Sequence, residues 1–342
     1  MAKINPKLEF YRFTLNHKNK RFSTFKEFIE NKLKKANLSD ETAMGMLFKH
    51  FTNSLKGSHA KDDKLKKQIK LEKRSNINKY LDNQPRFIIK NHIICGVING
   101  GSYGTHRILS DIENPEESTQ LGQKKAVMPY YFFLLYLPLE HNEGCFIIQS
   151  NSREDTITDI FRKFVSNVFK GKEFRRPIME IFCPKSFQDE FRKGAVIQNL
   201  KFIDKAIDDI HNANETTETI GEFDVKIEII PRDKKIPISI SKAIKSLLAP
   251  FSFGKKEKYT KLNDFDRVNL TVKNPVDNST RTFEWNNKDN DFVPVIYLKE
   301  RMKKFNEDDT PNFVELEKLC INYLENKVLP DLRQDSYVTK AK

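Results

Sequence analysis

Asp224-Val225-Lys226 sets a carboxylate and an amine two residues apart within Phe223 to Ile230, whose alternation predicts a strand with one wet face. Nucleases that cut through a divalent metal need carboxylates to hold the ion, often with a lysine two positions beyond one of them. Asp208 or Asp209 upstream would supply a second ligand. Alternating Asp, Lys and Glu is also what any half-exposed strand shows on its wet side. A metal-dependent nuclease built on Asp224 and Lys226 is therefore the leading catalytic alternative, not the main expectation.

No other reaction has a visible motif. His17, His50, His59, His92, His106, His141 and His211 show no HxH, HExxH or Cys-His ligand spacing. The four cysteines, Cys95, Cys145, Cys183 and Cys320, lie far apart, which argues against a disulfide scaffold or a zinc ribbon. Gly100-Gly101-Ser102-Tyr103-Gly104-Thr105 follows a strand but lacks the Gly-Lys-Ser/Thr that binds phosphate and magnesium, so turn chemistry accounts for it. Tyr103, His106 and Arg107 beside it are a secondary candidate for stacking on a nucleic acid. Neither a GxSxG elbow nor a Cys-His nucleophile is present. No cofactor and no metal are expected, and a binding protein is favoured over an enzyme.

The positive signal is charge. Of the formal +13, residues 1–128 hold 25 basic against 13 acidic side chains, whereas 129–342 are nearly balanced at 35 against 34. The clusters are Lys18, Lys20 and Arg21; Lys64, Lys66, Lys67, Lys70, Lys73 and Arg74; Lys170, Lys172, Arg175 and Arg176; and Lys234, Lys235, Lys255 and Lys256 within a basic stretch at 232–261. Such clusters neutralise phosphates and release counterions, giving salt-sensitive affinity that is mostly independent of sequence. Lysines dominate, and a lysine is a point charge without the arginine fork, which favours backbone contact over base reading. Each cluster taken alone also fits a solvated face. No zinc finger, RRM signature or clear helix-turn-helix is present to read bases.

The elements that must position these residues read as α+β, since neither strict βα alternation nor an all-β pattern occurs. Residues 8–15 form a strand, 18–21 a basic turn, and Ser23 or Thr24 caps a helix through Phe25, Phe28, Ile29 and Leu33. The basic stretch to about residue 80 is helical or loose. Ile93 to Ile98 with Tyr103 to Leu109 suggest a hairpin about Asn99-Gly100-Gly101, and 130–137 with 144–148 a second one. Ile157 to Val168 is an amphipathic helix. The polar stretches 111–127 and 211–221 read as linkers. Ser239 caps a helix to Leu248, 268–272 and 280–285 pair, and a helix from about Asn312 to Leu329 follows. The start lacks the apolar core of a signal peptide, and the most apolar run, Tyr130 to Leu137, is too short to span a bilayer, so a cytoplasmic protein without membrane insertion is expected.

In order and character these elements resemble the RexA family of phage-exclusion proteins. The resemblance lies in Phe10-Tyr11 through Lys18-Asn19-Lys20-Arg21 to Phe25, the Ile93 to Leu109 stretch, and Phe132-Phe133-Leu134 followed by Gly144-Cys145-Phe146-Ile147 and a helix. Phe223 to Ile230 with Arg232-Asp233-Lys234-Lys235, then Asp266 to Val272 and the last helix, complete it. The chain is longer than that family, mainly through its basic 49–80 segment, and no functional residue is carried over. The resemblance implies a DNA-binding homodimer in antiviral defence by abortive infection, the sensor half of a system beside a membrane effector encoded nearby. It further implies a discontinuous basic core domain, 1–125 plus 222–342, and an inserted, mobile middle domain at 126–221. The resulting expectation is a sequence-nonspecific DNA-binding protein that senses phage DNA or a DNA–protein complex. A scaffold protein with incidental charge is the other alternative.

Overall fold

The computed structural model describes residues 6–55, 60–71, 86–111, 113–114, 116–151, 156–192, 196–211, 217–230, 232, 265, 267–273, 280–286, 291–306 and 310–332. In chain order these form β1 (Lys7–His17), α1 (Phe25–Leu33), α2 (Asp40–Asn53), β2 (Ala60–Asp62), β3 (Lys67–Lys70), β4 (Arg86–Ile88), β5 (Ile93–Ser102), β6 (Arg107–Ser110) and β7 (Ser118–Leu121). Next come β8 (Tyr130–Tyr136), β9 (Glu143–Ser150), α3 (Thr158–Val168), β10 (Phe174–Ile181), α4 (Lys185–Arg192), β11 (Val196–His211) and β12 (Thr217–Ile229). The series ends with β13 (Arg267–Lys273), β14 (Thr280–Asn286), β15 (Asp291–Pro294), β16 (Ile296–Tyr297) and α5 (Phe313–Tyr323), which runs on into a π-helical turn, Leu324–Val328. The class is α+β, and the strands among the described residues pair antiparallel.

Contacts divide the chain into two units, Met1–Phe182 with Ile296–Arg333, and Cys183–Val295 with Gln334–Lys342. Strands β8 and β9, which the sequence reading assigns to a middle domain, lie between β1 and β5 in the order β10-β1-β9-β8-β5-β3-β2. Strand β16 extends the β10 edge by pairing with Lys7 and Leu8, and β4 shares the β3 edge.

Both faces of this sheet are covered, so its central strands are continuous apolar runs rather than alternating ones. On one face Tyr11, Phe13, Ile94, Ile98, Tyr131, Phe133, Phe146 and Ile148 pack under α1, α2 and α3. Phe161 lies at the centre, with ring centroids 5.5 Å from Phe133 and 5.3 Å from Phe146. The other face takes Phe10, Phe132, Leu134 and Ile147, buried with Leu316 and Cys320 of α5, which lies along β8 and β5. Among its described residues the second unit holds α4 and a five-stranded sheet, β12-β11-β13-β14-β15, whose core includes Leu200, Phe202, Leu270 and Phe283.

Two local expectations change. Asn99-Gly100-Gly101 is no hairpin tip: β5 runs through it to Ser102 and pairs with β8, while β6 pairs with β7 as a separate ribbon. A Cβ at Gly101 would stand 1.8 Å from the Val127 carbonyl oxygen, so the glycine serves close backbone approach. The polar stretches at 111–127 and 211–221 hold strand β7 and the beginning of β12. The helix expected from Ser239 to Leu248 lies outside the described residues. Among the described residues no helix is long and apolar enough to cross a membrane.

Candidate nucleic-acid interface

Two basic stretches about 150 residues apart in the chain meet at the β1–β10 corner. His17 faces Phe174 and Asn16 faces Arg175 across the ladder. Beyond it, the Lys18 amide donates to the Glu173 carbonyl at 2.8 Å and its ammonium donates to the Lys172 carbonyl at 2.7 Å. Lys18, Lys20, Arg21, Lys170, Lys172, Arg175 and Arg176 are all exposed there. Among the described residues these seven make one ion pair, Lys20 with Glu27 at 3.9 Å, while the Glu173 carboxylate lies 3.6 Å from the His17 ring. An exposed pair at that separation is worth little, so the corner keeps a strong positive field. Among the described residues Arg21, Arg175 and Arg176 form no ion pair.

The backbone explains why consecutive arginines both face water. Between Thr14 and Asn16 the partner on β10 jumps from Ile178 to Arg175, so Arg176 and Pro177 bulge opposite Leu15. Pro177 supplies no ladder donor, and β10 is outermost in this part of the sheet, where a proline is tolerated.

The 18–21 loop is pinned at both ends. Its root is His17, whose side chain is only 5% exposed and whose ring lies edge-on to Phe174 at 4.9 Å. Nδ1 of His17 accepts from the amides of Asn19 and Lys20, each at 3.0 Å, and therefore carries no proton. At the far end Thr24 and Glu27 form a capping box on α1, and Ser23, buried, donates to Glu27 at 2.6 Å. That hydrogen bond is the main cause holding the Glu27 carboxyl below its ordinary range, with Lys20 contributing.

The second expected cluster is organised differently. Lys67 spends its ammonium on Asp159, at 3.0 and 3.2 Å, with its side chain 13% exposed. Lys61 pairs with Asp63 at 2.8 Å and Lys163 with Asp62 at 2.7 Å, and both carboxyls are held low chiefly by those bonds. Asp62 also accepts from the amides of Lys64 and Leu65, closing the β2–β3 turn. Tyr103 is engaged too: the Lys61 and Lys66 ammoniums lie 5.2 and 5.9 Å from its ring centre, and its hydroxyl donates to Asp63 at 2.8 Å. Lys64 and Lys66 are exposed and Lys70 half-buried. Lys73, Arg74, Lys234, Lys235, Lys255 and Lys256 lie outside the described residues.

Lys226 is exposed on β12, with Asp224 two residues before it opposite Lys205; the Asp224, Asp208 and Asp209 side chains are outside those described. Among the described residues no three His, Cys, Asp or Glu side chains are grouped so as to hold a metal ion. Sequence reasoning misses His17, which has no motif, and Phe22, whose signal is an aromatic residue directly after a basic run. No family model matches the chain, and no curated protein matches it.

Proposed function

We propose that this chain binds DNA through its phosphates, with little regard to sequence, at the basic corner joining the loop after β1 to β10. The observation that carries the reading is the convergence of Lys18, Lys20 and Arg21 with Lys170, Lys172, Arg175 and Arg176, seven cations that among the described residues make one ion pair, Lys20 with Glu27. Seven cations on a pinned backbone suit a phosphate ladder, and mostly lysine chemistry suits backbone contact. The bulge that turns both arginines outward adds two forks able to take phosphate oxygens in pairs.

The resemblance to the RexA family extends the proposal to biology: a cytoplasmic sensor of phage DNA, or of a DNA–protein complex, acting as a homodimer and signalling to a membrane effector encoded nearby. Gel shifts with unrelated duplexes of equal length test the binding. Affinity should fall steeply between about 50 and about 250 mM salt and differ little between sequences. Absence of any shift, or a flat salt response, would overturn it. Deleting the chain from a phage-resistant host tests the wider role; unchanged phage plating would remove it.

A further inference from the structure

Phe22 has 48% of its surface exposed directly beside Arg21, in a protein with 27 phenylalanines. Every other phenylalanine whose side chain is described is buried or half-buried. The exposure is imposed by the loop. Ser23 turns inward to Glu27, Thr24 caps α1, and His17 holds the amides of Asn19 and Lys20, so the intervening residue is directed out. An exposed ring on the loop that carries Lys18, Lys20 and Arg21 offers what an unstacked base needs: a π-face, with phosphate partners along the same backbone.

Resting on the DNA-binding reading above, we infer that the basic corner is a single-stranded nucleic-acid site in which Phe22 stacks on one base while Lys18, Arg21 and Arg175 hold the flanking phosphates. Duplex bases present only their edges in the grooves, and their faces are covered by neighbours, so Phe22 adds nothing to duplex binding. Tyr103, the aromatic residue of the other basic cluster, does not offer the same platform, since its ring already carries two lysine ammoniums.

Fluorescence anisotropy with a labelled single-stranded oligonucleotide and its duplex, at one salt concentration, tests this on the full chain and on Phe22→Ala, Phe22→Trp and Arg175→Glu/Arg176→Glu. The wild type should prefer the single strand. Phe22→Ala should lose about tenfold on the single strand, the scale of one stacked base, and less than about twofold on the duplex. Phe22→Trp should keep the affinity, and its emission, after subtracting that of Trp285, should be quenched by the single strand. The double arginine variant should weaken both substrates. Equal loss on both substrates for Phe22→Ala, or none on either, overturns the stacking role while phosphate binding stands. If neither substrate binds the wild type, both readings fall.

Discussion

Arg175 and Lys67 are both cations on strands of the first sheet, yet the fold uses them for different ends. Arg175 and Arg176 face water without an ion pair among the described residues, whereas Lys67 is committed to Asp159. Charge reversal at Arg175 and Arg176 should therefore weaken DNA binding uniformly across sequences and lower the salt slope by about 2, read from titrations at several salt concentrations. Lys67→Glu should instead lower the melting temperature, by setting two carboxylates together, and leave affinity nearly unchanged. Thiol chemistry separates residues in the same way. Burial, with Glu317 adding to it, pushes the Cys95 thiol up to about 12, and burial raises the Cys145 and Cys320 thiols as well. Cys183 is half-exposed. A thiol reagent at neutral pH should label Cys183 first and the other three only after unfolding, followed by absorbance in native and denatured protein.

At the scale of elements, α1 begins where Thr24 and Glu27 reciprocate, a pattern legible in the sequence as Ser-Thr ahead of a periodic apolar run. Thr24→Ala should cost about 1 kcal/mol in denaturant melts. Glu27 has a folded-state value below its unfolded one, so its contribution is complete above the ordinary glutamate range and is lost as pH falls through the depressed value. The stability gap between wild type and Glu27→Gln should accordingly be constant near neutrality and close in acid, measured by melts across that range. Strand β5 was legible as a strand but not in its partner: the glycines within it look like turn residues because a turn and a close approach both select glycine. Gly101→Ala should destabilise the protein by about 2 kcal/mol or more, because the atom it meets is the backbone oxygen of Val127. Polar composition misled in the same way at 118–121, since a two-stranded ribbon open on both faces carries the residues of a linker.

At the scale of the whole molecule, stability in the first unit rests on the aromatic layer between its sheet and the three helices. Phe161 touches that layer through Phe133, Phe146 and Phe164, and Phe161→Ala should cost about 3–5 kcal/mol, seen as an earlier denaturant midpoint at unchanged slope. The division of the chain follows from pairing of strands remote in sequence. Strand β16, at Ile296–Tyr297, returns to Lys7 and Leu8, and α5 lies on β8 and β5, so the first unit draws on both ends of the described chain.

The sequence by itself determined the class, the strands whose two buried faces make them apolar runs, the amphipathic helix at 158–168, the cap on α1 and the uneven distribution of charge. These follow from local periodicity and composition, which each segment carries on its own. Only the tertiary structure decided which basic residues act together. Lys18 reaches Lys172 because β10 pairs with β1 after a crossover through α3, and Lys67 is neutralised because α3 carries Asp159 past β3. Charge adds up through space, and distance along the chain says nothing of distance in space until the strands have chosen their neighbours.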